Sequence, residues 1–381
     1  MHIYQVNNIK ERKQFLKKLK VHGGGVPIMA KKMELLTFYI KDLKTPAVNI
    51  LKQDALSIGA ELATPSGVIV CEHDRYDCLL VGTQKHIEIL SKKELAQPFG
   101  LKKVAQELQE FLKVKEHPVK IMGIINANDD SFFSGSRFMA GDAVNQIKTM
   151  IEEGADIIDI GAVSSRPNAD EVSENLELER IKPICDVIKA EKLYEQASFS
   201  IDSYTPSVIE YALKSGFNLV NDITGASNDE VVGLAVEYGA KICIMHMQGT
   251  PQTMQKNPHY DDVMVEVSQF FEERIAKCES FGMKREDIIL DVGIGFGKTL
   301  EHNLTLLRNM KHFKKFGCEV LVGASRKSMI DKIISTPTEE RLAGTLAIHL
   351  RVVENGGATL IRCHDVKEHV QALAVWASLS I

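Results

Sequence analysis

The feature that most constrains the fold is a repeat of roughly 30–35 residues that begins near residue 119. Each repeat is a short apolar run followed by an amphipathic stretch, and glycine often ends that stretch. Continuous apolar runs are typical of strands buried on both faces of a parallel sheet. Eight such units predict a (β/α)8 TIM barrel, an α/β fold, whereas the alternative, an open doubly wound sheet, does not require eight. The predicted strands are 119–126, 156–162, 198–202, 218–222, 240–246, 288–293, 319–325 and 359–364.

The chain divides near His117-Pro118. Before this point the pattern predicts a helix at 46–60, adjacent strands at 67–74 and 76–83, and two helices within 85–114. We therefore predict that residues 1–116 form a small α/β N-terminal domain without a recognisable chemical motif. We predict that residues 117–381 form the barrel.

Composition excludes several classes of protein. Hydrophobic residues make up 44% of the chain, but no apolar run reaches the roughly 18 residues of a membrane span. The first 20 residues lack the apolar core of a secretory signal. Seven cysteines, an odd number without a C-x-x-C motif, indicate reduced thiols in a cytoplasmic protein.

The charge distribution argues against nucleic acid as a partner. Residues 1–116 carry 19 basic and 13 acidic side chains, whereas the rest of the chain carries 27 and 38. A nucleic-acid binder usually has a basic functional domain, and here the larger part is acidic. The basic segment 10–20 is interpreted as a solvated helix face, with a nucleic-acid-binding arm as the alternative.

Polar residues follow the predicted strands, at the end of a barrel where active sites lie. A single aspartate there could simply cap the next helix, but capping does not explain a polar residue at every strand end. Acceptors and an amide suit a flat heterocycle, the cations suit phosphate or carboxylate, and the oxygen of Asn126 suits a hard cation such as Mg²⁺. The acceptors are Asp202, Asn221 and Asp291, and the cations are Arg166, Lys327, Arg362 and His364.

Two simpler interpretations fail. The segment 296–299 resembles the end of a P-loop, but the first glycine of that motif would fall on Val292. The glycines at 293, 295 and 297 instead predict a tight loop that brings backbone close to a ligand. The methionines around His246 are expected to form a pocket wall, since no second histidine stands at metal-ligand spacing.

Eight segments occur in order at barrel spacing, and together they are highly specific. They are IMGIINANDDSF (121–132), GADIIDIGAVSSRP (154–167), SIDSY (200–204), LVNDITG (219–225), IMHMQGTPQTM (244–254), ILDVGIGFGKT (289–299), VGASRKSMI (322–330) and IRCHDVKEH (361–369). Through these segments, the sequence over about residues 119–381 resembles the dihydropteroate synthases.

The resemblance implies an enzyme of folate biosynthesis, a sulfonamide target that joins 6-hydroxymethyl-7,8-dihydropterin diphosphate to 4-aminobenzoate. It also implies Mg²⁺ held through Asn126, and a homodimer. Catalysis would depend on Lys327, Asp291, Asp202 and Arg362. The pterin would be bound by Asp202, Asn221, Met245, Asp291 and Lys327, the diphosphate by Asn126, Arg362 and His364, and the aminobenzoate by Ser165, Arg166, Pro167, Phe296 and Ser328.

Some loop residues depart from the family pattern. In the first loop Asn128 and Asp129 replace Thr-Pro, and Ser134 replaces an aspartate that contributes to the metal site. In the second loop Val163 replaces a glutamate. These changes keep two alternatives open: a paralogue that binds pterin without turnover, and an enzyme like the methyltetrahydrofolate:corrinoid methyltransferases. The cations at Lys327 and Arg362 weigh against the second, because a methyl donor has no diphosphate to anchor.

Overall fold

The first unit of the chain contains a three-stranded antiparallel sheet in the order β1-β3-β2. The computed structural model describes residues 2–3, 9, 11–114, 117–127, 136–163 and 172–379. It divides into two units, 1–114 with 377–381 and 115–376. The strands of the first unit are β1 Leu35–Lys44, β2 Glu61–Ala63 and β3 Arg75–Thr83, and its helices are α1 Arg12–Lys18, α2 Gly25–Ala30, α3 Thr45–Ile58, α4 Gln84–Lys93 and α5 Leu101–Leu112.

The predicted strand at 67–74 is wrong. Residues Ser66–Val68 form a 3₁₀ turn, and Ile69 and Val70 are exposed. The central strand β3 already pairs with β1 on one edge and β2 on the other, so β3 has no edge left for the adjacent strand that was predicted. The helices predicted at 46–60 and within 85–114 are confirmed as α3, α4 and α5.

The second unit is a closed barrel of eight parallel strands, in which each strand pairs with the next in sequence and β11 pairs with β4. All eight predicted strands are confirmed, with ends that differ by at most three residues. The strands are β4 Lys120–Asn126, β5 Ile157–Gly161, β6 Ser198–Asp202, β7 Leu219–Asp222, β8 Lys241–Met245, β9 Ile288–Asp291, β10 Glu319–Val322 and β11 Leu360–Cys363.

Helices surround the barrel and bury its outer face. Their bounds are α6 Ser136–Glu152, α7 Glu174–Ala190, α8 Pro206–Lys214, α9 Asp229–Glu237, α10 Val263–Ser280, α11 Leu300–Arg308, α12 Ser328–Ile333, α13 Leu342–Glu354 and α14 Val366–Leu379. Within the described ranges, no helix combines the length and apolar composition needed to cross a bilayer. All seven cysteines are free thiols, and Cys71 alone among them is exposed.

The amino ends of the barrel strands are closed by charge pairing. Glu319 at the start of β10 accepts from Lys241 Nζ over 2.7 Å and lies 3.6 Å from Lys120 Nζ. The two lysines lower the pKa of Glu319 against the effect of its burial. This ion-pair cluster lies at the amino ends of the strands, opposite the carboxyl ends where active sites of this fold lie.

Candidate active site

Inside the barrel, a polar layer lies directly above an apolar one. Four buried apolar residues are each followed two positions later by a polar residue on the same strand, on β5, β7, β9 and β11. Residues two apart point to the same face of a strand, and alternate strands of such a barrel contribute one layer. The apolar layer is Ile157, Leu219, Ile289 and Leu360, and the polar layer is Asp159, Asn221, Asp291 and Arg362; Met122, Cys243 and Leu321 on the intervening strands belong to the same buried cluster.

Arg362 is the centre of an ion-pair network. Its Nε donates to Oδ2 of Asp159 over 2.6 Å, and its Nη2 donates to Oδ2 of Asp202 over 2.7 Å. Asn221 Nδ2 donates to the same oxygen of Asp159 over 3.0 Å. The other oxygen of Asp159 is buried without a hydrogen-bond partner in the described structure. The layer therefore contains an unsatisfied acceptor that a donor group of a ligand can use.

The pKa of the Asp202 carboxyl is raised to near neutral pH. Burial is the main cause that raises its pKa from 3.8 to about 7; the neighbouring carboxylates of Asp159 and Glu177 add to this shift, while Arg362 opposes it. A carboxylate in such a low-dielectric environment interacts strongly with N–H donors.

Asp291 is buried at the end of β9. Its Oδ1 accepts from the backbone N–H of Gly293 over 2.8 Å. Burial raises its pKa, and the Gly293 hydrogen bond together with Lys327 and Arg362 opposes that shift. Asp291 is therefore oriented by its own loop, with cations nearby that favour its ionised form.

The loop after β9 is tight, as the glycine spacing predicted. Gly293 and Gly297 have positive φ, and a Cβ at Gly293 would overlap the carbonyl oxygen of His246. The close neighbour is thus the backbone of the β8 loop. Buried Lys298 joins the same two loops, because its Nζ donates to the carbonyl oxygens of His246 over 3.2 Å and Phe296 over 2.9 Å.

This loop places the ring of Phe296 beneath a lysine. The Nζ of Lys327, the residue that precedes α12, lies 4.1 Å from the centre of the Phe296 ring. A cation over an aromatic face at this distance is attracted to it. The structure thus brings together a residue predicted for the pterin and one predicted for the aminobenzoate. Ser328 is exposed as the first residue of α12.

His364 does not supply the positive charge expected from the sequence. Burial and the nearby Arg362 lower its pKa to about 4. Its Nδ1 lies 2.9 Å from Oγ of Ser325, and its backbone N–H donates to the same oxygen over 3.3 Å. His364 is therefore neutral at pH 7, and it can contact an anion only as a hydrogen-bond donor.

Asn126 ends β4 and is exposed, and Met245 ends β8 and is buried. No three His, Cys, Asp or Glu side chains in the described ranges group closely enough to hold a metal ion. The exposed amide oxygen of Asn126 is a ligand type that Mg²⁺ accepts, so this residue would contribute one ligand to such an ion, and the others would come from outside the described side chains. The predicted residues Ser165, Arg166 and Pro167, and the altered positions Asn128, Asp129 and Ser134, lie outside the described residues.

Asp159 is not among the residues predicted from the sequence. The predicted residues lie at strand ends, whereas Asp159 lies in the middle of β5, within the run DIIDIG. The signal was available, because an aspartate inside an otherwise apolar strand that is buried on both faces needs a partner. In the structure Arg362 and Asn221 supply that partner.

Comparison with known proteins identifies the family to which the barrel is similar. A family model described as "Pterin binding enzyme" matches residues 122–364. A Helicobacter pylori protein named bifunctional dihydropteroate synthase/dihydropteroate reductase is 41% identical over 343 residues, which is 90% of each chain. Escherichia coli dihydropteroate synthase is 44% identical over 260 residues, 68% of this chain and 90% of its own. A Yersinia pestis dihydropteroate synthase solved with a sulfonamide drug complex superposes with a TM-score of 0.64 at 35% identity, covering 69% of this chain and 94% of that one.

The fold and the match over most of the barrel define a pterin-binding barrel enzyme, a transferase of the folate pathway. Within that class, the chain belongs to the dihydropteroate synthase family.

Proposed function

We propose that this chain condenses 6-hydroxymethyl-7,8-dihydropterin diphosphate with 4-aminobenzoate to form 7,8-dihydropteroate and diphosphate. The observation that carries this proposal is the polar layer of the barrel. Its carboxylates and amide lie beside a guanidinium, inside a barrel that matches dihydropteroate synthases.

The buried acceptors serve the pterin ring. Asp202, Asp291 and Asn221 face N–H donors and ring acceptors of the heterocycle, and the unsatisfied oxygen of Asp159 offers one more acceptor. As the C–O bond to diphosphate breaks, positive charge develops on the pterin methylene. Fixed carboxylates stabilise that charge without reorganising. The amine nitrogen of 4-aminobenzoate then bonds to the methylene carbon and loses a proton.

The cations serve the leaving group. Arg362 uses two of its N–H donors on Asp159 and Asp202, which leaves others for phosphate oxygens. Lys327, held over Phe296, lies where it can contact the pterin and bound the aminobenzoate site together with Ser328. His364 contributes a neutral N–H.

Magnesium belongs to the same proposal. Asn126 would hold it, and the ion when bound would neutralise charge on the departing diphosphate. The barrel residues do the remaining work of binding and orienting both substrates.

The test is an omission assay on the purified chain. Diphosphate release is measured with pterin diphosphate, 4-aminobenzoate and Mg²⁺, and each component is left out in turn. We expect release to require all three, with dihydropteroate as the second product. Binding of the pterin diphosphate without release would support the non-catalytic paralogue. Activity that depends on a cobalamin protein would support the methyltransferase alternative.

A second activity is favoured by one comparison. The alignment with the relative named as a reductase spans 343 residues, more than the second unit contains, and so includes much of the first unit. We therefore propose that the chain also adds two electrons and two protons to a C=N bond of dihydropteroate, with a reduced nicotinamide or flavin as the donor. Oxidation of that donor by the full chain should require dihydropteroate, and donor oxidation at the same rate without it would contradict the proposal.

We further propose a cytoplasmic homodimer that binds neither nucleic acid nor membrane. The seven free thiols support the location, and exposed Ile333, Ile334 and Val375 support an interface. Sedimentation should give twice the chain mass of 42.4 kDa, and a monomer at micromolar concentration would contradict this.

A further inference from the structure

Two buried histidines on different helices form one hydrogen-bonded chain. His349 lies on α13 and His369 on α14, with 0% and 1% of their surface exposed. Nδ1 of His349 lies 2.9 Å from Nε2 of His369, and the ring planes are inclined by 51°. Neither residue belongs to the set predicted from the sequence.

The hydrogen bonds on either side of this histidine pair determine which ring nitrogens carry a proton. The backbone N–H of Ala324 donates to Nε2 of His349 over 3.1 Å, so that nitrogen carries no proton. Nδ1 of His349 is therefore protonated and donates to Nε2 of His369. Nδ1 of His369 in turn donates to the carbonyl oxygen of Asp365 over 2.6 Å. Both imidazoles are neutral, each with its proton on Nδ1.

An additional proton on either histidine would break one of the hydrogen bonds between Ala324 and Asp365. On either ring it would occupy the nitrogen that now accepts, and one hydrogen bond would be lost. Burial agrees with this arrangement, because it lowers the pKa of His349 to about 3 and also lowers the pKa of His369. The arrangement therefore persists across the physiological pH range.

The histidine chain connects two loops of the active site. Ala324 starts the segment that leads to Lys327, and Asp365 follows His364. Outside the histidines, the same loops meet where Arg326 Nε donates to Asp365 over 3.0 Å. Arg326 has a positive φ of 55°, a conformation that a non-glycine residue adopts only when its surroundings hold it. The histidines thus hold, through Ala324, the loop in which Arg326 has a strained backbone conformation.

We propose that His349 and His369 are positioning residues for the synthase reaction. The chain from the Ala324 N–H to the Asp365 carbonyl sets the spacing between the loop that presents Lys327 and the loop that presents His364. The inference rests on the proposed synthase activity, and neither histidine contacts substrate. Misplacing a reacting or binding group by about 1 Å can cost roughly 100-fold in rate, so a rigid link at this place has a direct kinetic consequence.

The first test is spectroscopic and uses the unmodified chain. Long-range ¹H–¹⁵N NMR of histidine side chains distinguishes the two neutral tautomers and the imidazolium. We expect His349 and His369 both to be neutral with the proton on Nδ1 from pH 6 to 8, whether or not substrate is present. An Nε2-protonated or charged ring at either position would overturn the proposal, independently of any activity.

The second test is kinetic. His349→Leu removes the acceptor for Ala324 and the donor to His369, and we expect kcat to fall by roughly 10- to 100-fold at saturating substrates. His349→Gln keeps an acceptor and a donor at similar spacing and should recover most of the loss. Because the two histidines act as one unit, the variant that also carries His369→Leu should lose no more than the single variant.

Folding and function are separated by measuring kcat at a temperature where circular dichroism shows each variant to be folded. If His349→Leu does not fold, His369→Leu, which removes the acceptor for His349 Nδ1, is compared with His349→Gln, and unchanged kcat in folded His369→Leu would overturn the proposal. Unchanged kcat in a folded His349→Leu variant would overturn the proposal. If the unmodified chain releases no diphosphate, the synthase proposal fails instead, and the tautomer measurement still tests the histidine chain.

Discussion

Arg362 stabilises two carboxylates that would otherwise be unstable in the barrel. Asp159 is fully buried and Asp202 nearly so, and both accept from the same guanidinium. Two buried carboxylates close together favour protonation of one of them unless a cation separates them. A single residue therefore couples the stability of the barrel to the charge of its binding site.

Removing this cation should affect both properties. We expect Arg362→Met to lower the free energy of unfolding by about 3 kcal/mol, because it leaves buried charge uncompensated, and to weaken pterin diphosphate binding. Urea unfolding and calorimetric titration measure the two effects. The control is Arg308→Met, since the exposed pair of Arg308 with Glu301 should be worth at most about 1 kcal/mol. Equal losses from the two variants would contradict this account.

Lys327 should be essential for turnover. Lys327→Ala removes the only cation at the face of Phe296 in the described structure, and we expect kcat/KM to fall by at least about 100-fold. The control is Lys315→Ala, which removes a lysine that lies 5.0 Å above the ring of Phe316, outside the site. The control should keep its activity, and near-normal kcat/KM for Lys327→Ala would rule out the assignment.

The titration of Asp202 predicts a pH dependence. The ionised carboxyl is the form that accepts from pterin N–H groups, so kcat/KM for the pterin diphosphate should rise as pH increases through about 7. Since the folded pKa exceeds the ordinary 3.8, folding favours the protonated form, and the contribution of Asp202 to stability falls between about pH 4 and 7. Asp202→Asn should remove the rising limb of the rate profile. A profile that keeps this limb in the variant would assign it to another group.

At the scale of elements, the loop between β9 and α11 depends on glycine. Gly293→Ala would force a Cβ into the carbonyl oxygen of His246 at a φ of 66°, and we expect a loss of about 2–4 kcal/mol in thermal or urea unfolding. Gly233→Ala is the matched control, since it lies within α9 with no atom near its added Cβ. There alanine should stabilise by up to about 1 kcal/mol. A Gly293→Ala variant as stable as the original chain would contradict the close approach.

The barrel elements could be predicted because burial simplifies their sequences. Strands enclosed on both faces are predominantly apolar, which explains why all eight were found in the right order. The first unit was harder, because β1 is rich in apolar residues but alternates between half-buried and exposed positions and lacks the fully buried run that marks the barrel strands. The run around Val70 has strand composition, but β3, its predicted neighbour, is paired on both edges by β1 and β2.

The position of a site residue could be predicted where it follows from the apolar pattern of its own strand. Asp202, Asn221 and Asp291 follow apolar runs and could be located from them. The pairing of His349 with His369 could not, because it depends on how two helices pack side by side, and neither helix shows it alone. Helix packing brings together residues that no sequence spacing relates.

At the scale of the whole molecule, each unit has its own hydrophobic core. The first unit packs α3, α4 and α5 against its sheet around Leu51 and Leu80, whereas the barrel has a separate and larger core. We expect a chain of residues 117–381 to fold cooperatively and keep synthase activity, as measured by urea unfolding and diphosphate release. A folded but inactive fragment would show that the first unit completes the site or the oligomer.

The ion pairs and apolar residues at the amino ends of the barrel strands have a kinetic consequence. Glu319 and its lysines lie at the amino ends of the strands with buried apolar residues above them, so both substrates are expected to enter through the mouth at the carboxyl ends. Two substrates must arrive and two products must depart by the same route. Accumulating dihydropteroate should therefore obstruct entry of the next pterin, so that the rate late in the reaction is governed by how fast the mouth is cleared.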